Sequence, residues 1–162
     1  MIRTIEWLGN AVRLIDQRAL PGREVTLDYT TPEEVAFAIK DMVVRGAPAI
    51  GVTAAFGAAL GAKRADAPNR EAFMTVWGKD LDLLAASRPT AVNLFWAIAR
   101  MRGVAEAFVG DDLPLLVARL EDEAVKIYEE DLAINRRMGE YGATLLADGD
   151  TALTHCNAGA LA

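Results

Sequence analysis

Two short segments of the sequence combine an arginine, a proline and the predicted start of a helix. The first is RGAPAIG, residues 45–51, in which Gly46 lets the backbone approach a ligand and Pro48 fits a first helical turn. The second is RPTAVN, residues 88–93, in which Thr90 is the predicted N-cap. Free N–H groups at a helix start bind anions, and an arginine adds a charged donor. Two such helix starts could bind one phosphate together. The alternative is that each is only a helix start next to a surface arginine, with no ligand.

A third segment carries the only cysteine of the chain. In THCNAGALA, residues 154–162, Cys156 lies at the carboxyl end of a predicted strand and just before a predicted helix. Ligands of open α/β sheets bind at this position, and a helix N-terminus lowers the pKa of a thiol. A buried structural cysteine is the alternative, and for His155 a structural role is favoured. We regard Cys156 as the candidate reactive residue.

The composition excludes several classes of site and of protein. One cysteine and one histidine rule out a disulfide and a zinc site built from these residues. The net charge is −6, and the acidic excess lies at residues 111–131. The sequence shows no cluster of basic residues of the kind that binds nucleic acid. The uncharged run at 46–62 is shorter than a bilayer span of roughly 20 residues, and residues 1–6 lack a signal-peptide core. We expect a soluble, cytoplasmic protein without a membrane partner.

The fold that must position these segments is predicted to be mainly α-helical. It is expected to be a helical bundle preceded by a small antiparallel sheet. Alternating residues and intervening turn formers predict strands over residues 5–8, 11–15 and 24–27. A helix is then predicted after an N-cap at Thr30 or Thr31, with Pro32 in its first turn. Helical spacing predicts further helices over residues 48–63, 70–86 and 91–108, and the longest one after Pro114.

The longest predicted helix has an apolar stripe at spacings of three and four residues. Its members are Val117, Leu120, Ala124, Ile127, Ile134, Met138, Tyr141 and Leu145. Such a stripe predicts a side that faces the core along the whole helix. Only Asp131 interrupts it. Because burial of an unpaired carboxylate is costly, we expect Asp131 to face protein and to have an arginine or several N–H partners.

The last residues differ in character from the helical part. Residues 151–154 have strand propensity after the turn-like residues 148–150, and residues 157–159 are typical of a loop that enters a helix. A domain does not normally end in a single strand that has no sheet to pair with. We therefore predict one domain over residues 1–147 and the truncated start of a second, α/β domain over residues 148–162.

In this order and separation, the three segments resemble the methylthioribose-1-phosphate isomerase family. The resemblance covers essentially the whole chain, including the opening strands and Asn135-Arg136-Arg137 in the long helix. The wider group contains ribose-1,5-bisphosphate isomerase and the α, β and δ regulatory subunits of eukaryotic initiation factor 2B. RGAPAIG together with the cysteine of THCNAGALA points to the isomerase branch.

The resemblance implies an aldose–ketose isomerase of methionine salvage. Such an enzyme converts 5-methylthioribose 1-phosphate to 5-methylthioribulose 1-phosphate without a metal or a redox cofactor. The resemblance places Cys156 beside the sugar carbons that exchange hydrogen. It also implies a homodimer at full length, a Rossmann-like second domain and a ring-opening aspartate in that domain. The residues that it assigns to the substrate phosphate are Arg45, Gly46, Ala47 and Arg88.

Two alternatives remain open at this point. A ribose-1,5-bisphosphate isomerase would take a substrate with a second phosphate in place of the methylthio group, and the residues that select between them are expected partly beyond Ala162. A non-catalytic regulatory module, like the initiation-factor subunits, is the other alternative. Cys156 and the two arginine segments argue against it, since a protein–protein scaffold needs no thiol between phosphate-binding helix starts.

Overall fold

The computed structural model describes residues 3–155 and 159–161 of the chain. Within them a three-stranded antiparallel sheet precedes five helices, which confirms the expected mainly helical fold with a small N-terminal sheet. The elements in chain order are β1 (Ile5–Trp7), β2 (Val12–Ile15), β3 (Thr26–Tyr29), α1 (Pro32–Lys40), α2 (Ala47–Arg64), α3 (Arg70–Ser87), α4 (Val92–Ala107), α5 (Leu113–Ala143) and a 3-10 turn at Gly159–Leu161.

The sheet follows the predicted hairpin pattern, with strand order β1-β2-β3. Leu14 pairs with Ile5 on one side and with Leu27 on the other, and it is fully buried against the helices. The third strand begins two residues later than predicted, at Thr26. The reason is that the turn after β2 is wide, and the Asp16 N–H donates to the Val25 carbonyl at 2.8 Å before regular pairing begins.

The start of α1 is determined by a local capping motif. The Thr31 side chain accepts from the Glu34 N–H at 3.1 Å, and the Glu34 carboxylate accepts in return from the Thr31 N–H at 3.2 Å. Pro32 occupies the first turn, where its missing N–H costs nothing. Thr31, rather than Thr30, is therefore the N-cap.

Helix α2 forms the centre of the helical layer. Every residue from Ala49 to Ala62 is buried, so this helix is apolar on all sides and is covered by neighbours all round. Its small residues allow those neighbours to approach closely. The Trp77 indole of α3, for example, is fully buried and donates to the Ala58 carbonyl of α2 at 2.8 Å.

The directions of the helices follow from contacts near their ends. Gly51 and Asn93 meet near the beginnings of α2 and α4, so these two helices start at the same end of the layer. Lys63, at the end of α2, bonds to Glu121 near the beginning of α5 at 2.7 Å, so α5 runs the opposite way. At 1.5 Å per residue, the rest of α5 after Glu121 spans about 33 Å, whereas α2 back to its start spans about 24 Å. The end of α5 therefore projects beyond the start of α2.

The apolar stripe of α5 is buried only in its first half. Of the stripe members, Leu120, Ala124 and Ile127 are buried and Val117 is partly buried, and Leu116 beside them is also buried. The exposed members are Ile134, Met138, Tyr141 and, just beyond the helix, Leu145. The prediction of a core-facing side along the whole helix is therefore wrong for the second half. The physical reason is that α5 extends past the starts of α2 and α4, so neither of these helices covers the exposed half of the stripe.

Asp131 lies where the buried half of the stripe ends, and it is half-buried. Its carboxylate accepts from the Asn135 side-chain amide at 3.1 Å. Burial raises the pKa of the Asp131 carboxyl, and the hydrogen bond from Asn135 partly offsets this increase. Within residues 3–155 and 159–161 the carboxylate thus has one amide partner, rather than the arginine or several N–H donors that the sequence led us to expect.

The strand predicted over residues 151–154 is not formed. Residues 151–155 have no regular secondary structure, and Leu153 is 99% exposed. A strand needs a neighbouring strand for its N–H and C=O groups, and this segment has none among the described residues. A domain boundary at residue 148 stays a prediction, and Cys156 lies outside the described residues. No helix in the described part of the chain is long and apolar enough to cross a membrane.

Candidate functional site

Two buried valines fix the loop that presents Arg45. Val43 and Val44 are fully buried. The Val43 N–H donates to the Ala38 carbonyl at 2.9 Å, and the Val43 carbonyl accepts from the Gln17 N–H at 3.0 Å. Arg45 follows directly and is exposed. The backbone of this loop is therefore held by the core while the guanidinium remains in solvent.

Gly46 makes the start of α2 an open helix terminus. Its φ is +96°, a conformation that a residue with a Cβ adopts only under strain. Gly46 is the N-cap, and no side chain of this residue caps the helix. The first-turn N–H groups, among them that of the exposed Ala47, have no acceptor within the helix, and N–H groups at such a position bind anions in many proteins. The residues of RGAPAIG thus form the kind of terminus that the sequence predicted.

The start of α4 is open in the same way, although its N-cap differs from the predicted one. The N-cap is Ala91, which has no side-chain hydrogen-bonding group, and α4 begins at Val92. The Ala91 N–H donates to the Arg88 carbonyl at 3.1 Å and closes a turn. Thr90 lies inside that turn, one residue too early to cap the helix, so the predicted cap is wrong. Arg88 itself is half-buried.

The two helix starts pack directly against each other. A Cβ added to Gly51 would lie 2.9 Å from the Asn93 carbonyl oxygen and 3.3 Å from the Asn93 Cβ. Backbone therefore meets backbone within two turns of each helix start. This approach brings RGAPAIG and the segment of Arg88 to one end of the helical layer, with the positive ends of both helix dipoles together. That Arg45 and Arg88 bind the same phosphate stays a prediction.

The second half of α5 runs past this end of the layer. Helices α2 and α5 are antiparallel, and Lys63 lies beside Glu121. Fourteen residues further along α5 and fourteen residues back along α2, Asn135 therefore lies at about the level of Ala49. The exposed part of the apolar stripe of α5 begins here, with Ile134 and Met138 both 59% exposed. The two helix starts are thus bordered by a helix face that combines the Asp131–Asn135 pair with apolar side chains.

Gln17 connects the turn at Gly159–Leu161 to the loop that precedes Arg45. The Gln17 side-chain amide donates to the Leu161 carbonyl at 3.0 Å, while its backbone N–H is bonded to Val43. The position of Cys156 as the candidate reactive residue stays a prediction. Gln17 carries no distinctive sequence signal, because a single amide after an apolar strand is typical of any surface turn. Its burial, with 8% exposed, is visible only in the structure.

An open cavity elsewhere on the molecule is a poor match for a phosphate. It has a volume of about 360 Å³ and lies between β3 and α1. Three carboxylates line it, from Asp28, Glu33 and Glu34, and they repel a dianion. Within the described ranges, no three or more His, Cys, Asp or Glu side chains are grouped so as to hold a metal ion.

The close approach at Gly51 predicts a loss of stability for Gly51→Ala. The added methyl group meets a backbone carbonyl, which cannot rotate away, so the two helix starts must separate. Overpacking of this kind typically costs about 1–3 kcal/mol, and we expect that decrease in the free energy of unfolding from urea titration.

A matched control for this substitution is Gly78→Ala in α3. A Cβ at Gly78 meets nothing within 4 Å, so alanine is expected to raise the free energy of unfolding by up to about 1 kcal/mol. If Gly51→Ala is as stable as the unchanged protein, the two helix starts do not pack as the structure shows.

Comparison with known proteins connects these features to a family. The sequence profile of the initiation factor 2 subunit family matches residues 43–162. The chain is 53% identical over 161 residues to methylthioribose-1-phosphate isomerase from Syntrophotalea carbinolica, a match that covers 99% of this chain and 47% of that protein. The chain thus spans about half the length of the curated relatives it matches.

Two solved structures are similar to this one. The first is the crystal structure of 5-methylthioribose 1-phosphate isomerase from Pyrococcus horikoshii OT3, with a TM-score of 0.93 and 45% sequence identity over 99% of this chain and 45% of that one. The second is the translation initiation factor eIF-2B, subunit delta, from A. fulgidus, with a TM-score of 0.87 and 42% identity over 99% of this chain and 46% of that one.

Proposed function

This chain belongs to the initiation factor 2 subunit family, and from this premise we propose that the full-length protein is an aldose–ketose isomerase. Its proposed reaction converts 5-methylthioribose 1-phosphate to 5-methylthioribulose 1-phosphate. The observation that carries the proposal is the direct packing of two open, arginine-bearing helix starts at Gly51 and Asn93. The names of the similar proteins, isomerases that act on this sugar phosphate, support it.

The phosphate is proposed to bind between the two helix starts. Arg45 and Arg88 supply charged donors, and the open first turn after Gly46 supplies backbone N–H groups, among them that of Ala47. Both helix dipoles contribute positive potential at the same end of the layer. A dianion bound there would hold the sugar near the surface that the second half of α5 borders, and the rest of the substrate would extend away from the helices.

The substrate determines what the reacting groups must do. Its anomeric oxygen carries the phosphate, so the ring cannot open as a free hemiacetal does. An acid must deliver a proton to the ring oxygen as its bond to C1 breaks. Hydrogen then moves from C2 to C1, and the C2 hydroxyl loses its proton to become the ketone, so the product is an isomer of the substrate. We propose that Cys156 acts at the C2 hydrogen, either as a thiolate base or as a thiol that shields the transfer from water.

Two other functions compete with this proposal. A ribose-1,5-bisphosphate isomerase would use the same phosphate site for a substrate with a second phosphate. A non-catalytic regulatory subunit is favoured by the similarity to the eIF-2B delta structure. Neither alternative alters the role proposed for the helix starts as an anion site, but the regulatory subunit would not turn over a sugar phosphate.

Turnover by the full-length protein distinguishes the three functions. We expect 5-methylthioribose 1-phosphate to be converted to a ketose, seen as a new carbonyl carbon signal by NMR, and ribose 1,5-bisphosphate to react much more slowly. A faster reaction of the bisphosphate would support the first alternative. Binding of either sugar phosphate without any turnover would contradict an isomerase and support the regulatory subunit.

The setting of the reaction follows from the same proposal. We propose a cytoplasmic homodimer that acts in methionine salvage on a small sugar phosphate, with neither nucleic acid nor membrane as a partner. The second domain, proposed to begin at residue 148 and to be Rossmann-like, would supply the ring-opening aspartate. The acidic net charge of −6 supports the absence of a nucleic-acid partner.

A further inference from the structure

Gln17 is a buried polar residue at the corner that follows β2. Its backbone N–H donates to the Val43 carbonyl at 3.0 Å, two residues before Arg45 in the chain. Its side-chain amide donates to the Leu161 carbonyl at 3.0 Å, five residues after Cys156. One residue thus contacts the loop that presents Arg45 and the 3-10 turn that ends the third chemical segment.

A second contact holds the same 3-10 turn. The Thr4 hydroxyl donates to the Ala160 carbonyl, next to the carbonyl that Gln17 binds. Thr4 is itself tied to the sheet, because its carbonyl accepts from the Ile15 N–H at 3.1 Å. Two neighbouring carbonyls of the turn are therefore bonded to two side chains at one end of the β1–β2 hairpin.

The corner that carries Gln17 is held by hydrogen bonds between its two neighbours, Asp16 and Arg18. Asp16, the preceding residue, is buried, and its carboxylate accepts from the Arg18 N–H at 3.0 Å and from the Arg18 guanidinium at 2.8 and 2.7 Å. These hydrogen bonds lower the pKa of the Asp16 carboxyl, so it stays charged and bonded at neutral pH. The direction of the Gln17 side chain is thereby set by a fixed backbone.

The chemistry of this position requires a neutral donor of the length of glutamine. A buried amide without a partner is costly, so Gln17 is stable here because the Leu161 carbonyl satisfies it. A carboxylate of the same shape has no proton to donate to a carbonyl at neutral pH, and its charge would repel that oxygen. An apolar side chain of similar volume would fill the space but would not hold the turn.

We infer that Gln17 is a positioning residue for the proposed isomerase. It holds the turn at Gly159–Leu161, which begins three residues after Cys156 in the chain, against the loop that presents Arg45. This inference deepens the proposed function and rests on it. Gln17 has no contact with the reacting atoms in this role.

The test uses Gln17→Glu and Gln17→Met in the full-length protein. Both variants keep the backbone bond to Val43 and remove the donor to the Leu161 carbonyl, and Gln17→Glu also adds a charge that Gln17→Met does not. By hydrogen exchange with mass spectrometry, we expect peptides that contain residues 159–161 to exchange about 10-fold faster, and peptides of α2 to be unchanged. We expect kcat to fall about 10-fold and KM to change by less than about 3-fold, because the phosphate is bound elsewhere.

Two further variants define the controls. Glu24→Gln makes the reverse chemical change at an exposed position of the same region, and it should alter neither exchange nor kcat. Thr4→Val removes the other contact to the turn and should accelerate exchange at residues 159–161 in the same direction as Gln17→Met.

The inference is overturned if exchange at residues 159–161 is unchanged in both Gln17 variants. It is also overturned if exchange in α2 accelerates equally, because that result would show a general loss of stability. If the unchanged protein has no isomerase activity, the proposed function fails, whereas the exchange measurement still reports whether Gln17 holds the turn. The two failures are therefore distinguishable.

Discussion

Replacement of Cys156 by serine in the full-length protein is expected to lower kcat by at least about 100-fold, the effect typical of losing a positioned acid–base group. Serine keeps the shape of the side chain, but its hydroxyl is a far weaker acid than a thiol. It can therefore provide no anionic base toward the C2 hydrogen at neutral pH. KM is expected to change little, because the proposed phosphate ligands Arg45 and Arg88 remain. Steady-state kinetics with 5-methylthioribose 1-phosphate measures both quantities.

The control for this prediction is the neighbouring His155→Gln. His155 is exposed and no catalytic role is proposed for it, so kcat should remain within a few-fold of normal. A near-normal kcat for Cys156→Ser would mean that the cysteine is structural and that its catalytic assignment is wrong. A large loss in His155→Gln, with a smaller one in Cys156→Ser, would move the assignment to the imidazole.

Replacement of Arg88 or Arg45 by methionine is expected to raise KM by about 10- to 100-fold. Methionine keeps most of the length and the apolar stem of arginine but loses the charged donors. A hydrogen bond to a charged group contributes about 1.5–3 kcal/mol, and each 1.4 kcal/mol corresponds to a factor of ten. Inhibition constants for inorganic phosphate should rise in parallel with KM, because phosphate occupies the same helix starts.

The double variant tests whether the two arginines bind one phosphate. Side chains that contact the same group are coupled, so the loss in Arg45→Met/Arg88→Met should differ from the sum of the single losses by at least about 0.5 kcal/mol. The matched control is Arg102→Met, farther along α4, where the guanidinium is 3.7 Å from Asp82 and no substrate role is proposed. An unchanged KM in both single variants would rule out the helix starts as the phosphate site.

Local pattern in the sequence was sufficient for several parts of this molecule. The capping motif at Thr31 and Glu34 is complete within four residues, and the sequence accordingly predicted the N-cap at Thr30 or Thr31, between which the structure decides. The bounds of α3 and α4 were predicted to within about one residue because their apolar spacing is also local, although the predicted cap of α4 was wrong. The family resemblance of the three chemical segments is also a property of sequence alone, and the matched family and relatives confirm it.

Other features depended on contacts between distant parts of the chain. Periodicity shows which side chains of α5 share a face, but whether Ile127 is buried and Ile134 exposed depends on where the neighbouring helices begin. The approach of Gly51 to Asn93 joins residues 42 positions apart, and the link from Gln17 to Leu161 joins residues 144 apart. No local propensity encodes such pairs, because each exists only when packing has brought the two elements together. The two arginine segments were thus readable in the sequence, whereas the packing of their helix starts at one end of the helical layer was decided by the tertiary structure.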